Sequence, residues 1–315
     1  MQRVATTYSS DTAAITLRSK RAKMKDAAIS RLVQFSGITA ILAVLLIFVF
    51  LAKDAAPILK FVGLKEFLLG VDWTPEFEKF GIVPLLAGSA AVTLGAIVIA
   101  VPLGIACAVY LAEVAPRRVQ EILKPTIEVL AGIPSVVIGF IGLAVAAPFL
   151  QSVLNLSTGM TALTGAIMLA FMSMPTIISI SEDAIVGVPK SYRDGSLALG
   201  ATKWETIHSI VLPAAKSGIV AACMLGIGRA IGETMTVLMV TGNASNLPKG
   251  LSEVVPFFLG PVRTMTATIA SDMGETVQYS SHYHALFAVG LTLFAITFAI
   301  NLAADIALKR RSGAQ

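Results

Sequence analysis

Charge is scarce in this chain. Asp, Glu, Lys and Arg make up 14% of its 315 residues, against 56% hydrophobic residues and a mean hydropathy of +0.81. A globular domain of this size cannot use so much apolar sequence, so a soluble protein is excluded and a multispanning membrane protein is implied. Cysteine is nearly absent: Cys107 and Cys223 both fall inside apolar runs without ligand-like neighbours, and they read as packing residues, with neither a disulfide nor a metal role. No G-x4-G-K-S/T phosphate loop occurs, so this chain cannot hydrolyse ATP alone. An intramembrane enzyme would need a nucleophile with a base, or a metal triad, and Ser173, Ser179 and His208 offer no such arrangement. The net charge of +5 comes from basic residues between apolar runs, with no single basic patch, which argues against nucleic-acid binding.

What is present is a set of six spans. The runs Leu32 to Ala52, Ile82 to Leu111, Ile127 to Leu150, Thr161 to Ile180, Ile219 to Thr241 and Ala285 to Leu308 are each long enough to cross a bilayer. The first follows a basic lead (Arg18, Lys20, Arg21, Lys23, Lys25, Arg31) too long for a cleaved signal, so an uncleaved helix with a cytoplasmic N-terminus is expected. Six spans put both ends on one side. The segments assigned to that side also hold Arg117, Arg118, Lys124, Lys190, Arg193, Lys203, Lys216, Lys309, Arg310 and Arg311. The opposite side holds Lys53, Lys60, Lys65, Lys79, Lys249 and Arg263, the asymmetry that positive-inside charge demands. Pro84, Gly88, Gly95, Pro102 and Gly104 interrupt the second run, and Gly132, Pro134, Gly139, Gly142 and Pro148 the third. Such breakers suit either close packing by small residues or a cavity in the bundle interior.

Between the fourth and fifth runs lies a polar island, Asp194 to Pro213. Leu197, Ala198 and Ala201 recur at helical spacing, Gly200 interrupts, and Trp204, Ile207 and Ile210 to Leu212 resume an apolar stripe that Pro213 is expected to stop. Periodicity alone allows an interfacial helix on lipid or a knob that docks elsewhere. The spacing of Gly200, nine residues, Ile210 and then Leu212-Pro213, with the Asp194 carboxylate six positions before the glycine, resembles the coupling loop of permease subunits of binding-protein-dependent ABC importers. Asp194-Gly195-Ser196 stands where that family has Glu-Ala-Ala, and a helical glycine costs about 1 kcal/mol, so a less regular first turn is expected. The resemblance implies that Asp194, Gly200, Trp204, Ile207, Ile210, Leu212 and Pro213 form a cytoplasmic knob seated in a separate ATPase subunit.

The fifth run carries Gly228-Arg229-Ala230-Ile231-Gly232-Glu233-Thr234-Met235. On a continuous helix, Arg229 and Glu233 share a face and Gly228 and Gly232 make a neighbouring small-x3-small face. Either charge costs about 3 kcal/mol or more at the bilayer centre, so both need partners. One reading is a self-neutralising pair; the other is an oxyanion contact, since guanidinium presents fork-shaped donors. Glu233 could neutralise Arg229 between cycles or accept a hydrogen bond from a protonated phosphate oxygen.

This stretch, together with Trp73-Thr74-Pro75, Phe80 to Pro84, Ala131 to Ser135 and His284 to Phe287 leading to Asn301, is similar to PstC-type permeases of phosphate ABC importers. The likeness runs from about Trp73 to the C-terminus. It implies an all-α membrane protein with six transmembrane helices, the type I ABC importer permease fold. The expected divisions are a tail over 1–31, a first helix and external loop over 32–81, the permease domain over 82–308 with its coupling loop about 182–216, and a tail over 309–315. It also implies that Arg229 and Glu233 line the pathway for inorganic phosphate. The implied partners are a PstA-type second permease, two PstB-type ATPases binding ATP and Mg, and a PstS-type extracytoplasmic binding protein. The PstA-type sister and a permease for another oxyanion remain alternatives; a passive channel would need no coupling loop. The external segment Gly242 to Tyr283, with Pro248, Pro256, Pro261, Asp272 and Glu275, is expected to offer a docking surface, and zinc at His282 and His284 is a weaker alternative.

Overall fold

The computed structural model describes the backbone of residues 2–248 and 250–312, and side chains for 26–248, 250, 252–303 and 306. The side chains of Arg18, Lys20, Arg21, Lys23, Lys25, Lys249, Lys309, Arg310 and Arg311 therefore lie outside the described residues. Two units divide the chain, 1–53 and 54–315. The first is carried by helix α1 (Gln2–Ala55), along which Ile38, Ile41, Leu45, Ile47, Val49 and Phe50 are exposed. An apolar helix exposed all round suits a hydrocarbon solvent.

The second unit is a helical bundle. Its main elements are α2 (Val83–Val109), α3 (Arg117–Ala131), α4 (Ser135–Ile141), α5 (Ala147–Leu154), α6 (Ala162–Val186), α7 (Lys190–Ala198), α8 (Lys203–Thr206), α9 (Leu212–Gly232), α10 (Met235–Val240), α11 (Met265–Asp272) and α12 (Ser281–Ser312). Among the described residues, six stretches are long and apolar enough to cross a membrane: Asp26–Phe61, Val83–Val114, Ser135–Leu154, Ala162–Val186, Lys203–Gly232 and Ser281–Ala303. Helix α6 is the central one, its buried face built from small and branched residues such as Ala166, Ala170, Ile177 and Ser181. The expected glycine packing is realised. A Cβ on Gly88 would strike the Arg263 carbonyl, one on Gly104 would lie 2.8 Å from Ile177, and one on Gly142 2.8 Å from Val240. Small residues let these helices approach closely where lipid supplies no hydrophobic drive.

Two expected spans are broken. The third does not run from Ile127: α3 ends at Ala131, and Gly132-Ile133-Pro134 turns the chain into α4, because Pro134 has no N–H to continue the ladder and disfavours helix in the residue before it. The fifth ends at Gly232, where Glu233 takes extended dihedrals (φ −69°, ψ 133°) before α10 resumes. In both places apolar sequence continues across the break, which hides it from a hydropathy reading. Pro213 does the reverse of what was expected: it sits in the first turn of α9, preceded by a π-helical turn, Ile207–Val211. The wider π-helical turn accommodates a residue with no N–H to donate, so the helix continues through it.

The segment Gly242 to Tyr283 is likewise no loose loop. Gly242 bridges Val262, α11 packs inward with Met265, Ala267 and Thr268 fully buried, and Thr266 Oγ1 donates to the Glu233 carbonyl at 2.8 Å. Facing outward around a cleft of about 400 Å³ are Glu76, Arg263, Asp272, Glu275 and His282. Trp73 and Phe80 pair across a two-residue antiparallel hairpin and are buried against His282, which stacks on Phe80. His282 Nε2 lies 3.3 Å from Asp272, whereas His284 Nδ1 is 2.7 Å from the Asp54 carbonyl, so the two rings serve different partners and do not make the H-x-H zinc pair. Cys107 is exposed and Cys223 half-buried, both free; only the second packs in the core.

Candidate functional site: a broken-helix arginine and a polar hairpin

Arg229 stands near the C-terminal end of α9, where three interruptions meet. Its Nη2 donates to the Ala131 carbonyl at 3.2 Å, at the break before α4, and its Nη1 donates to Thr176 Oγ1 at 3.1 Å, beside Pro175 within α6. The third interruption is its own, four residues on. Discontinuous helices side by side are where membrane proteins build substrate sites, since the freed backbone groups need a polar neighbour.

Arg229 and Glu233 do not share a helix face, contrary to the expectation, because the helix stops between them. The Glu233 carboxylate, 7% exposed, instead accepts from the Thr236 backbone N–H at 3.0 Å, closing the first turn of α10. Thr236 Oγ1 in turn donates to the Ser135 carbonyl at 3.0 Å, which ties the break in the fifth span to the start of α4. Glu233 thus positions the break, while among the described residues no carboxylate lies within ion-pair distance of Arg229, whose partners are a hydroxyl and a carbonyl. A guanidinium held by neutral acceptors on a membrane span is poorly compensated, and an arriving anion can exchange for those weaker bonds. The Gly228 and Gly232 face is also unpartnered, since an added Cβ on either meets nothing within 4 Å.

The hairpin forms as the sequence suggests, α7 then α8, with Gly200 at φ +85° between them. That left-handed conformation is one that glycine adopts without steric cost. Thr202 and Glu205 form a reciprocal capping box at the start of α8, and Ser196 Oγ lies 2.9 Å from Thr206 Oγ1, joining the two short helices. Helix α7 is regular despite Gly195, so the feared irregularity of its first turn is absent. The apolar stripe divides in two. Ile207 is 2% exposed and belongs to the chain's own core, whereas Trp204 is 65% and Leu199 91% exposed at the tip. Asp194, Gly200 and Pro213 are exposed, and Ile210 and Leu212 half-buried. Leu199, Trp204 and Tyr192 thus leave large apolar side chains exposed on the hairpin.

Sequence reasoning missed three ion pairs on this side, two of them made by one lysine. Lys124 of α3 reaches Glu182 at 2.6 Å and Asp183 at 3.0 Å on α6; hydrogen bonds to Glu182 and then Asp183 raise the lysine's pKa against the opposing effect of burial. Arg193 of α7 meets Glu113 at 2.6 Å. Partners 58 and 80 residues apart leave no periodic signal.

Known proteins agree with this architecture. The family model described as binding-protein-dependent transport system inner membrane component matches residues 100–312. A probable ABC transporter permease protein, YqgH of Bacillus subtilis, is 43% identical over 251 residues, 79% of this chain and 77% of its own. The phosphate transport system permease protein PstC of Mesorhizobium japonicum is 37% identical over 273 residues, covering 79% and 80%. Among solved structures, an inward-facing MetNI methionine ABC transporter chain aligns with a TM-score of 0.52 at 18% identity, covering 73% of this chain and 94% of that one, a likeness of fold alone.

Proposed function

Given that this chain belongs to the binding-protein-dependent transport system inner membrane component family, with the type I ABC importer permease fold, we propose that it forms half of the translocation pathway of an inorganic phosphate importer. The observation that carries the proposal is Arg229, a guanidinium without a carboxylate partner among the described residues, set where breaks in the third and fifth spans meet. Phosphate is met by forked donors, and trading a hydroxyl and a carbonyl for an oxyanion replaces neutral hydrogen bonds by charge-assisted ones roughly twice as strong. The PstC-named relatives support phosphate over other oxyanions.

The remaining parts follow from this reading. A PstA-type second permease covers the bare Gly228 and Gly232 face and completes the pathway. Two PstB-type ATPases bind ATP and Mg and receive the hairpin tip at Leu199 and Trp204, and a PstS-type extracytoplasmic binding protein delivers phosphate. The N- and C-termini and the hairpin lie in the cytoplasm, as the basic segments between spans support. The test is reconstitution. With those partners in liposomes the chain supports ATP-driven accumulation of radiolabelled phosphate and alone it supports none; robust ATP-driven transport by the single chain, or a complex that carries sulfate and not phosphate, contradicts the proposal.

A further inference from the structure

We propose that Arg193 is the positioning residue that ties the cytoplasmic hairpin to the second and fourth spans, so that hairpin movement becomes span movement. The inference rests on the coupling role proposed above. Four contacts converge on this one side chain. Nε and Nη2 donate to Glu113 Oε1 at 3.0 and 2.6 Å, Nη2 also to the Ile185 carbonyl at 2.8 Å, and Nη1 to the Val188 carbonyl at 2.6 Å. Glu113 lies in the π-helical turn Tyr110–Val114 that closes the second span, and Ile185 and Val188 flank the C-terminal end of α6.

The chemistry of these acceptors explains the choice of arginine. The last carbonyls of a helix carry partial negative charge, so a cation with several fixed donors meets the Ile185 and Val188 carbonyls and the Glu113 carboxylate together. Glu113 and Arg193 side chains are only 9% and 20% exposed, which separates this pair from surface ion pairs of little consequence. Without Arg193, the hairpin would keep its chain connections and the buried Val188 and Ile207, but would lose this side chain's bonds to the second span and to the end of α6. With it, a hairpin already stiffened by the Thr202–Glu205 box and the Ser196–Thr206 contact is fixed to the second, fourth and fifth spans at once.

The test uses the assembled complex in liposomes, with Cys107 and Cys223 replaced by serine and spin labels on cysteines at Ser191 and Val114. In the otherwise native chain the distance between labels holds when Mg-ATP and vanadate are added; in Arg193→Ala it shifts or broadens, while the ATPase subunits still copurify. In the same variant the ATP hydrolysed per phosphate moved rises roughly two- to thirtyfold, the span of coupling effects expected of residues linking two sites. Cysteines at 193 and 113 joined by a short bifunctional thiol reagent restore the native ratio, which a merely structural role would not predict. If Arg193→Ala fails to accumulate, Glu113→Gln carries the same comparison. A label distance that nucleotide leaves unchanged in the variant, or loss of ATPase in proportion to lost transport, overturns the tie. A native complex that hydrolyses ATP without moving phosphate instead refutes the substrate, and the label distances still decide the tie.

Discussion

Replacing Gly200 by valine isolates the bend of the hairpin from its packing. Gly200 is exposed, and a Cβ built there meets nothing within 4 Å, so no clash accompanies the change. What remains is the backbone, because φ +85° is costly for any residue with a Cβ, about 1 to 2 kcal/mol and more for a β-branched one. That strain is relieved by rotating the joint, which swings the Thr202 cap and Trp204 away from their present direction. A shift of one or two kcal/mol lowers the population of the docking-competent hairpin roughly 5- to 30-fold. Gly195 supplies the control. It lies inside α7 with no positive φ and no neighbour within 4 Å of an added Cβ, so Gly195→Ala is expected to stabilise that helix by about 1 kcal/mol. The assay is copurification of the ATPase with the tagged complex, followed by ATP-driven phosphate uptake at matched expression. Gly200→Val is expected to weaken both and Gly195→Ala neither. Normal retention and uptake in Gly200→Val would refute the reasoning and return the segment to an interfacial helix.

Glu233→Gln keeps an oxygen for the Thr236 N–H while removing the charge, and Glu233→Ala removes both; if the residue positions the break, uptake survives in Gln and falls in Ala, and equal loss in both points to the charge. Gly228→Leu meets nothing beyond its own helix within 4 Å of the new Cβ among the described residues, so it is expected to leave the subunit in the membrane and to lose the second permease on copurification. Outside the membrane, burial raises the Asp272 pKa but contacts with His282 and Ser271 and the Arg263 charge outweigh it, leaving the carboxyl below its ordinary value. The stabilisation is therefore present above the unfolded carboxylate pKa near ~3.9 and is lost as pH falls through the depressed one. With Trp204→Phe making Trp73 the sole tryptophan, its fluorescence is expected to change over that acid window, and Asp272→Asn to abolish the change.

Hydropathy and charge made the six spans legible, and the lone glycine between two periodic segments made the hairpin legible, because those features are written in local sequence. The breaks at Gly132 to Pro134 and at Glu233 were not, since apolar residues continue on both sides and the side chains that reach the backbone there, Thr236 to the Ser135 carbonyl and Thr266 to the Glu233 carbonyl, come from elsewhere in the fold. Arg229 and Glu233 stand out in the sequence as charges on an apolar run, but their geometry was misjudged by assuming one unbroken helix. Arg193 looked like one more positive-inside charge; that it meets Glu113 depends on how the second and fourth spans end, which no spacing within either segment encodes.

Arg229 tests the central claim most directly. Radiolabelled phosphate uptake in cells lacking other phosphate systems, with expression matched by immunoblot, compares the native chain with Arg229→Lys and Arg229→Gln. A forked donor set predicts impaired uptake with lysine, a point charge, and near abolition with glutamine, with the ATPase subunits retained in both. Native uptake in Arg229→Gln would contradict the account and reduce Arg229 to a strut between Thr176 and Ala131.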